Sequence, residues 1–189
     1  MNNFNYQVRR MCFLITLLFT LATINAYAQF VYCPLGQGAF DECEPIDCIV
    51  CNLDGYSGST TGYGDDPDGD LAGVFCGTVE SVQYIRFYAA VTQLSITVSV
   101  SNCNVNAGGI DLAAMAVCDQ ALLACIAGNG TANTTLTLSN LIVGQTYILI
   151  IDVDAASDCD LDINVSPADG TINPSTQIPP NPVPTITGD

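Results

Sequence analysis

The chain has 189 residues, with 3 Lys and Arg against 19 Asp and Glu and neither His nor Trp. That length suits one ordinary domain with a real hydrophobic core. Its charge repels phosphate backbones and anionic lipids, which excludes nucleic acid as a partner and membrane binding by charge.

In chain order, Arg9 and Arg10 precede the apolar run MCFLITLLFTLA (residues 11–22), and Ala26-Tyr27-Ala28 supplies a small-x-small cleavage site. Residues 1–28 therefore read as a secretory signal peptide. The mature chain is expected to begin near Gln29, with Arg86 as its one cation against all 19 acids. A membrane-spanning helix takes about 20 apolar residues. No later stretch reaches that length without charges or turn residues, so direct membrane insertion is not expected. Cys33 lacks the small-residue approach of a lipidated cysteine. The expected location is secreted, either extracellular or on the cell surface.

Residues 29–53 form a cysteine-rich, irregular segment of the domain, and residues 54–77 a turn region of Gly, Ser, Thr and Asp. Strand signal fills most of the rest of a β-domain spanning 54–167. YIRFYAA (84–90) comes first. LSITVSVS (94–101) follows, alternating Leu94, Ile96, Val98 and Val100 with hydroxyl residues at period two. IDLAAMAV (110–117) suits a helix on alanine propensity, but its eight residues between a glycine pair and Cys118 favour a strand. ALLACI (121–126) and TTLTLSN (134–140) are short candidates between turns. TYILIIDV (146–153) is apolar on both faces, as a central strand covered on both sides would be. CDLDINVS (159–166) alternates again, with Leu161, Ile163 and Val165 inward. Short strands at regular spacing, without a long amphipathic helix, define an all-β antiparallel β-sandwich. Residues 168–189 carry five prolines and read as a linker or tail.

Nine cysteines follow the cleavage site, and in an exported chain they are read first as disulfides. Cys118 and Cys125 flank a turn and are expected to bridge it. Cys51 and Cys76 bracket the acidic loop, and Cys103 and Cys159 stand at two strand ends. Cys33, Cys43 and Cys48 are left, one of them unpaired. The CIVC motif at 48–51 has neither a second pair nor a histidine to complete a zinc site.

The segments CNLDGYSGSTTG (51–62), FCGTVESVQYIRFYAAVTQLSITVSVSNC (75–103), GGIDLAAMAVCDQALLACIAGNG (108–130) and LSNLIVGQTYILIIDVDAASDCDLDINVSP (138–167) occur in that order. Together they resemble an N-terminal β-sandwich module of large secreted Bacteroidota proteins, of the kind carrying gliding-motility-associated C-terminal sorting domains. The cysteines make the expected sandwich disulfide-stapled, and the resemblance implies a plan similar to jelly-roll and pre-peptidase C-terminal modules. It implies a non-catalytic role in adhesion or in binding an extracellular glycan or surface protein. This sequence departs from the pattern at Tyr84, where tryptophan is usual, and at Asp154, where glycine is usual. The repeats and sorting domain are not in it.

Three kinds of chemistry remain. Without His or Lys, Ser-His-Asp, Cys-His, Ser-Lys and Schiff-base mechanisms are unavailable, which leaves a carboxylate-pair glycosidase as the one enzyme reading open to composition. Calcium takes 6 to 8 oxygens. Asp66, Asp68 and Asp70 alternate as such ligands would, and Asp152, Asp154 and Asp158 form a second candidate set. An EF-hand is ruled out, because Leu71 stands where glycine is needed and Gly77 where glutamate is. Acidic turn residues are otherwise simply solvated turns. Tyr56, Tyr63, Tyr84 and Tyr88 are candidate sugar-stacking rings, although tyrosine on a sandwich is more often packing. Tyr84, Arg86 and Tyr88 share a strand face; if buried, Arg86 must pair with an acid. A structural subunit that self-associates through its tail or odd cysteine is the alternative to a binding module.

Overall fold

The computed structural model describes residues 32–33, 38–43, 48–64, 69, 71, 73–104, 109–118, 121–128, 131–153 and 158–172. The signal peptide, the chain beyond Ile172, and Asp66, Asp68, Asp70 and Asp154 lie outside them. Among the described residues there are nine strands: β1 (Ala39–Phe40), β2 (Tyr56–Ser59), β3 (Val82–Tyr88), β4 (Gln93–Ser101), β5 (Ile110–Met115), β6 (Ala124–Ile126), β7 (Asn133–Ser139), β8 (Thr146–Val153) and β9 (Asp160–Ser166).

The strands build two antiparallel sheets, in the orders β1-β3-β8-β5-β6 and β2-β9-β4-β7. From β2 onward each connection passes from one sheet to the other, except the one joining β5 to its neighbour β6. Eight strands wound in this way are a jelly roll, and β1 extends the first sheet by pairing with β3 through Ala39↔Ile85 and Phe40↔Tyr84.

Periodicity decides the layers. β7 and β9 alternate buried and exposed residues, and β4 alternates buried residues with half-buried ones between exposed ends, because one face of their sheet packs inward and the other meets solvent. Leu94, Ile96, Val98, Leu136, Leu138, Leu161 and Ile163 pack against Ile85, Phe87, Leu112, Leu149 and Ile151 of the other sheet. The wet face is a hydroxyl ladder, in which Thr97 Oγ1 and Thr135 Oγ1 lie 2.9 Å apart and Ser95 Oγ and Thr137 Oγ1 lie 3.2 Å apart.

The five-stranded sheet is covered on both faces. On its outer side the register aligns Val82 and Tyr84 with Asp152 and Ile150, and these with Asp111 and Ala113. Phe40 extends this face from β1, and over it pack Cys43, Leu71, Phe75 and Val79 from the segments around 43 and 75. β8 is thus buried along both of its faces, for the reason its unbroken apolar run gives. The cover also corrects an expectation, since Tyr84 is fully buried and the Tyr84, Arg86, Tyr88 face is not an open ligand platform.

Two disulfides clamp this cover to the sheet: Cys43 bonds Cys118, and Cys76 bonds Cys125. The expected Cys118–Cys125 and Cys51–Cys76 bridges are therefore both corrected. Register is the cause for the first, because β6 places Cys125 opposite Ala113, well inside the hairpin and away from Cys118. Cys51 is exposed and outside any disulfide. Cys103 bonds Cys159, where the pairing Ser101↔Asp160 brings the end of β4 to the start of β9. Cys33 bonds Cys48.

Candidate functional site

The two sheets end side by side in the short edge strands β1 and β2, and between these edges lies a half-open cleft of about 370 Å³. It is lined by Ala39 and Phe40 of β1, by Tyr56, Gly58 and Ser59 of β2, by Thr61 and Tyr63 of the following turn, and by Gly38 and Cys48. That volume falls within the usual range for small-molecule sites.

Tyr56 occupies its position because glycines flank it. A Cβ on Gly58 would stand 3.1 Å from Tyr56 Cε1, and one on Gly38 would stand 3.4 Å from Tyr56 Cε2. Each edge of the ring thus abuts a residue without a side chain, and the ring lies in the opening between the strands. Tyr56 pairs with Ile163 of β9 and packs against the margin of the core while staying half-exposed. Tyr63 stands next to it, its hydroxyl donating to Ala39 O at 3.1 Å and so tying the turn to β1.

The polar part of the cleft is held by the backbone. Ser59 Oγ accepts from Thr61 N at 3.1 Å and lies 2.9 Å from Thr61 Oγ1. Behind it, Gln83 is buried to 1 % exposure and donates from Nε2 to Ser59 O at 2.9 Å. Its amide oxygen accepts no hydrogen bond among the described residues. Burial, and then the nearby Tyr63, raise Tyr56 above the usual tyrosine value of 10.0, against the lowering effect of the Ala39 backbone. Burial, followed by the negative charge of Asp41, raises Tyr63 in the same way. Both phenols are therefore neutral hydroxyls at physiological pH.

Of the described candidate site residues, the fold brings Tyr56 and Tyr63 together in the cleft, while Tyr84, Arg86, Tyr88, Asp152 and Asp158 do not line it. Phe40, Ser59, Thr61 and Gln83 join them, and none of these was singled out by sequence reasoning. The β2 strand itself arises in a region read as turns. Asp152 is fully buried, and its Oδ1 accepts from Glu80 N at 2.9 Å and Ser81 N at 2.7 Å. Its cross-strand neighbour Asp111 is 3 % exposed and accepts from Gly128 N at 2.6 Å. These two carboxylates fasten loops to the sheet and do not line the cleft. Asp158 exchanges hydrogen bonds with Asn104, accepting from Nδ2 at 2.9 Å and donating its N–H to Oδ1 at 3.1 Å. Among the described residues no three of His, Cys, Asp or Glu gather as a metal-ligand group. No described helix is long and apolar enough to cross a membrane. No protein-family model matches the chain, and no curated protein matches it.

Proposed function

We propose that this chain is a secreted, non-catalytic binding module that takes a neutral sugar residue of an extracellular glycan into the β1/β2 cleft. The observation that carries this reading is the convergence of Tyr56 and Tyr63 with the hydroxyls of Ser59 and Thr61 in one half-open cleft. A pyranose presents an apolar C–H face to an aromatic ring and hydroxyls at its rim, and the cleft offers both kinds of partner. None of the described residues lining it is cationic, and Asp41 acts on Tyr63, so a neutral sugar is favoured over an acidic one. Four disulfides support an oxidising, extracellular setting. The resemblance to Bacteroidota surface modules points the same way.

A screen of immobilised glycans followed by calorimetry on Tyr63→Ala tests the proposal. Tyr63 is the cleaner position, since Tyr56 also packs on the core. Binding of a neutral glycan should weaken about tenfold, roughly 1.4 kcal/mol, while loss of the Tyr63 hydrogen bond to Ala39 O lowers stability by about 1 kcal/mol and leaves the chain folded. Equal binding by Tyr63→Ala, or no neutral glycan bound by the unaltered chain, would remove the reading.

A further inference from the structure

From the outer edge of the four-stranded sheet we infer that β7 pairs with β7 of a second copy of this chain, antiparallel about Leu136, so that the two sheets continue as one. Among the described residues each sheet ends in two edge strands, β1 and β6 in one and β2 and β7 in the other. β1, β6 and β2 run for two, three and four residues and offer little to pair with, whereas β7 runs for seven. It matches β4 residue for residue from Asn133 to Ser139, so no bulge turns it aside. Proteins ordinarily block a long edge with a charge, a proline or a bulge. The β7 sequence NTTLTLS has none of these.

Register decides which backbone groups are open. Val100 N donates to Ala132 O, and the same parity makes Thr134, Leu136 and Leu138 the residues that exchange bonds with β4. Asn133, Thr135, Thr137 and Ser139 therefore turn their N–H and C=O groups away from the sheet. Asn133 O has the first of these directions, and it accepts from Thr131 Oγ1 at 2.9 Å. An edge of this kind takes an added strand through its main chain, with side chains setting which strand.

The side chains select a copy of the same strand. Antiparallel pairing about Leu136 sets Thr135 against the partner's Thr137 and Asn133 against the partner's Ser139, each matched again by the twofold axis. Hydroxyl then meets hydroxyl, as it already does where Thr97 and Thr135 stand 2.9 Å apart and Ser95 and Thr137 3.2 Å apart. Four outward residues exchanging two bonds each give about eight hydrogen bonds, within the ~10 ± 5 of an ordinary interface.

Charge permits the approach here. Two copies with 19 acids each repel one another, but residues 120–151 contain no acidic and no basic side chain. Beside β7 packs β6, where Leu123 and Ile126 are exposed, so this margin is apolar as well as neutral. The acids on the strands of this sheet are Asp160 and Asp162 of β9. Across the joint they would face those of the copy from five strand spacings away, about 24 Å, or about three Debye lengths at physiological salt. The β1/β2 cleft lies at the opposite margin and stays open. The pairing is independent of what that cleft binds.

Sedimentation velocity of the full mature chain, carried through the micromolar range, tests the inference. The wild type should pass from monomer to dimer, and so should Cys51→Ser. Thr135→Asp/Thr137→Asp places like charges opposite one another on the exposed face and should weaken the dimer about tenfold or more while leaving the chain folded. Thr135→Lys/Thr137→Lys should do the same, and an equimolar mixture of the two variants should recover a dimer holding one copy of each. In the wild type the Thr135, Thr137 and Ser139 amides should exchange about tenfold more slowly in the dimer than after dilution. A monomer at every concentration would overturn the inference. So would a dimer indifferent to both pairs of substitutions, a mixture that stays monomeric, or a dimer lost in Cys51→Ser, which marks a disulfide between copies as the link.

Discussion

Cutting the Cys43–Cys118 staple is the sharpest perturbation of this architecture, because it holds the amino-terminal cover onto the outer face of the five-stranded sheet. The bond closes 75 residues, and loop-closure entropy then assigns it about 4.5 kcal/mol. Cys33–Cys48 closes 15 residues and is assigned about 3 kcal/mol. Urea unfolding of Cys43→Ala/Cys118→Ala, with a slope of about 2 kcal/mol per molar for a chain of this size, should lower the midpoint by about 2 M. Cys33→Ala/Cys48→Ala should lower it by about 1.5 M. The single variants decide the connectivity. Cys43→Ala alone should cost nearly as much as the double replacement, and Tyr84, buried in one cluster with Cys43, should become open to nitration. Were Cys118 bonded across its hairpin to Cys125, Cys43→Ala would leave the midpoint at the wild-type value. That result would refute the account of the cover given above.

Two further perturbations probe the loops and the cleft. A Cβ at Gly77 would run into the Asp111 carboxylate, so Gly77→Ala must push that group off Gly128 N, at a cost of about 1–3 kcal/mol; an unchanged urea midpoint would show that Asp111 is not fixed there. Both cleft tyrosines have raised values in the folded chain, so the unfolded chain gives up these protons first as pH rises. The stability they carry is whole below the unfolded value of about 10 and is lost as pH climbs through the folded values. Phenolate absorbance of the native chain against Tyr56→Phe checks this, and a Tyr56 ionising below the usual value would contradict the burial that causes the shift.

The sandwich was legible where neighbours in sequence share one environment. β4 and β9 each keep one face dry and one wet, so period two survives in the letters, and β8 loses the alternation because both its faces are covered. IDLAAM is read correctly against its alanine propensity, since its side chains fill a sheet buried on both sides. Tyr56-Ser57-Gly58-Ser59 gives no such signal. It is four residues long, holds a glycine, and becomes a strand only because β9 offers it a ladder from Ile163 to Asp160. Disulfide connectivity fails for a related reason. Cys103 and Cys159 sit at ends of strands that pair, but Cys43 meets Cys118 through a cover whose path depends on contacts scattered from residue 40 to residue 80.

The cleft follows the same logic one level up. Tyr56 and Tyr63 were visible as rings in a loop, but what makes them a site is Gly38, far back in the chain, and Gly58, two residues on. Read alone, each of these glycines is an unremarkable turn residue. Together they leave room for one ring to lie between the edges of two different sheets. A jelly roll has to end each sheet somewhere. Here both ends on this side are short strands, of two and four residues. Neither is long enough to close the margin over Tyr56, so the opening results from where pairing stops, and the chemistry at its rim comes from whichever residues the two edges bring there.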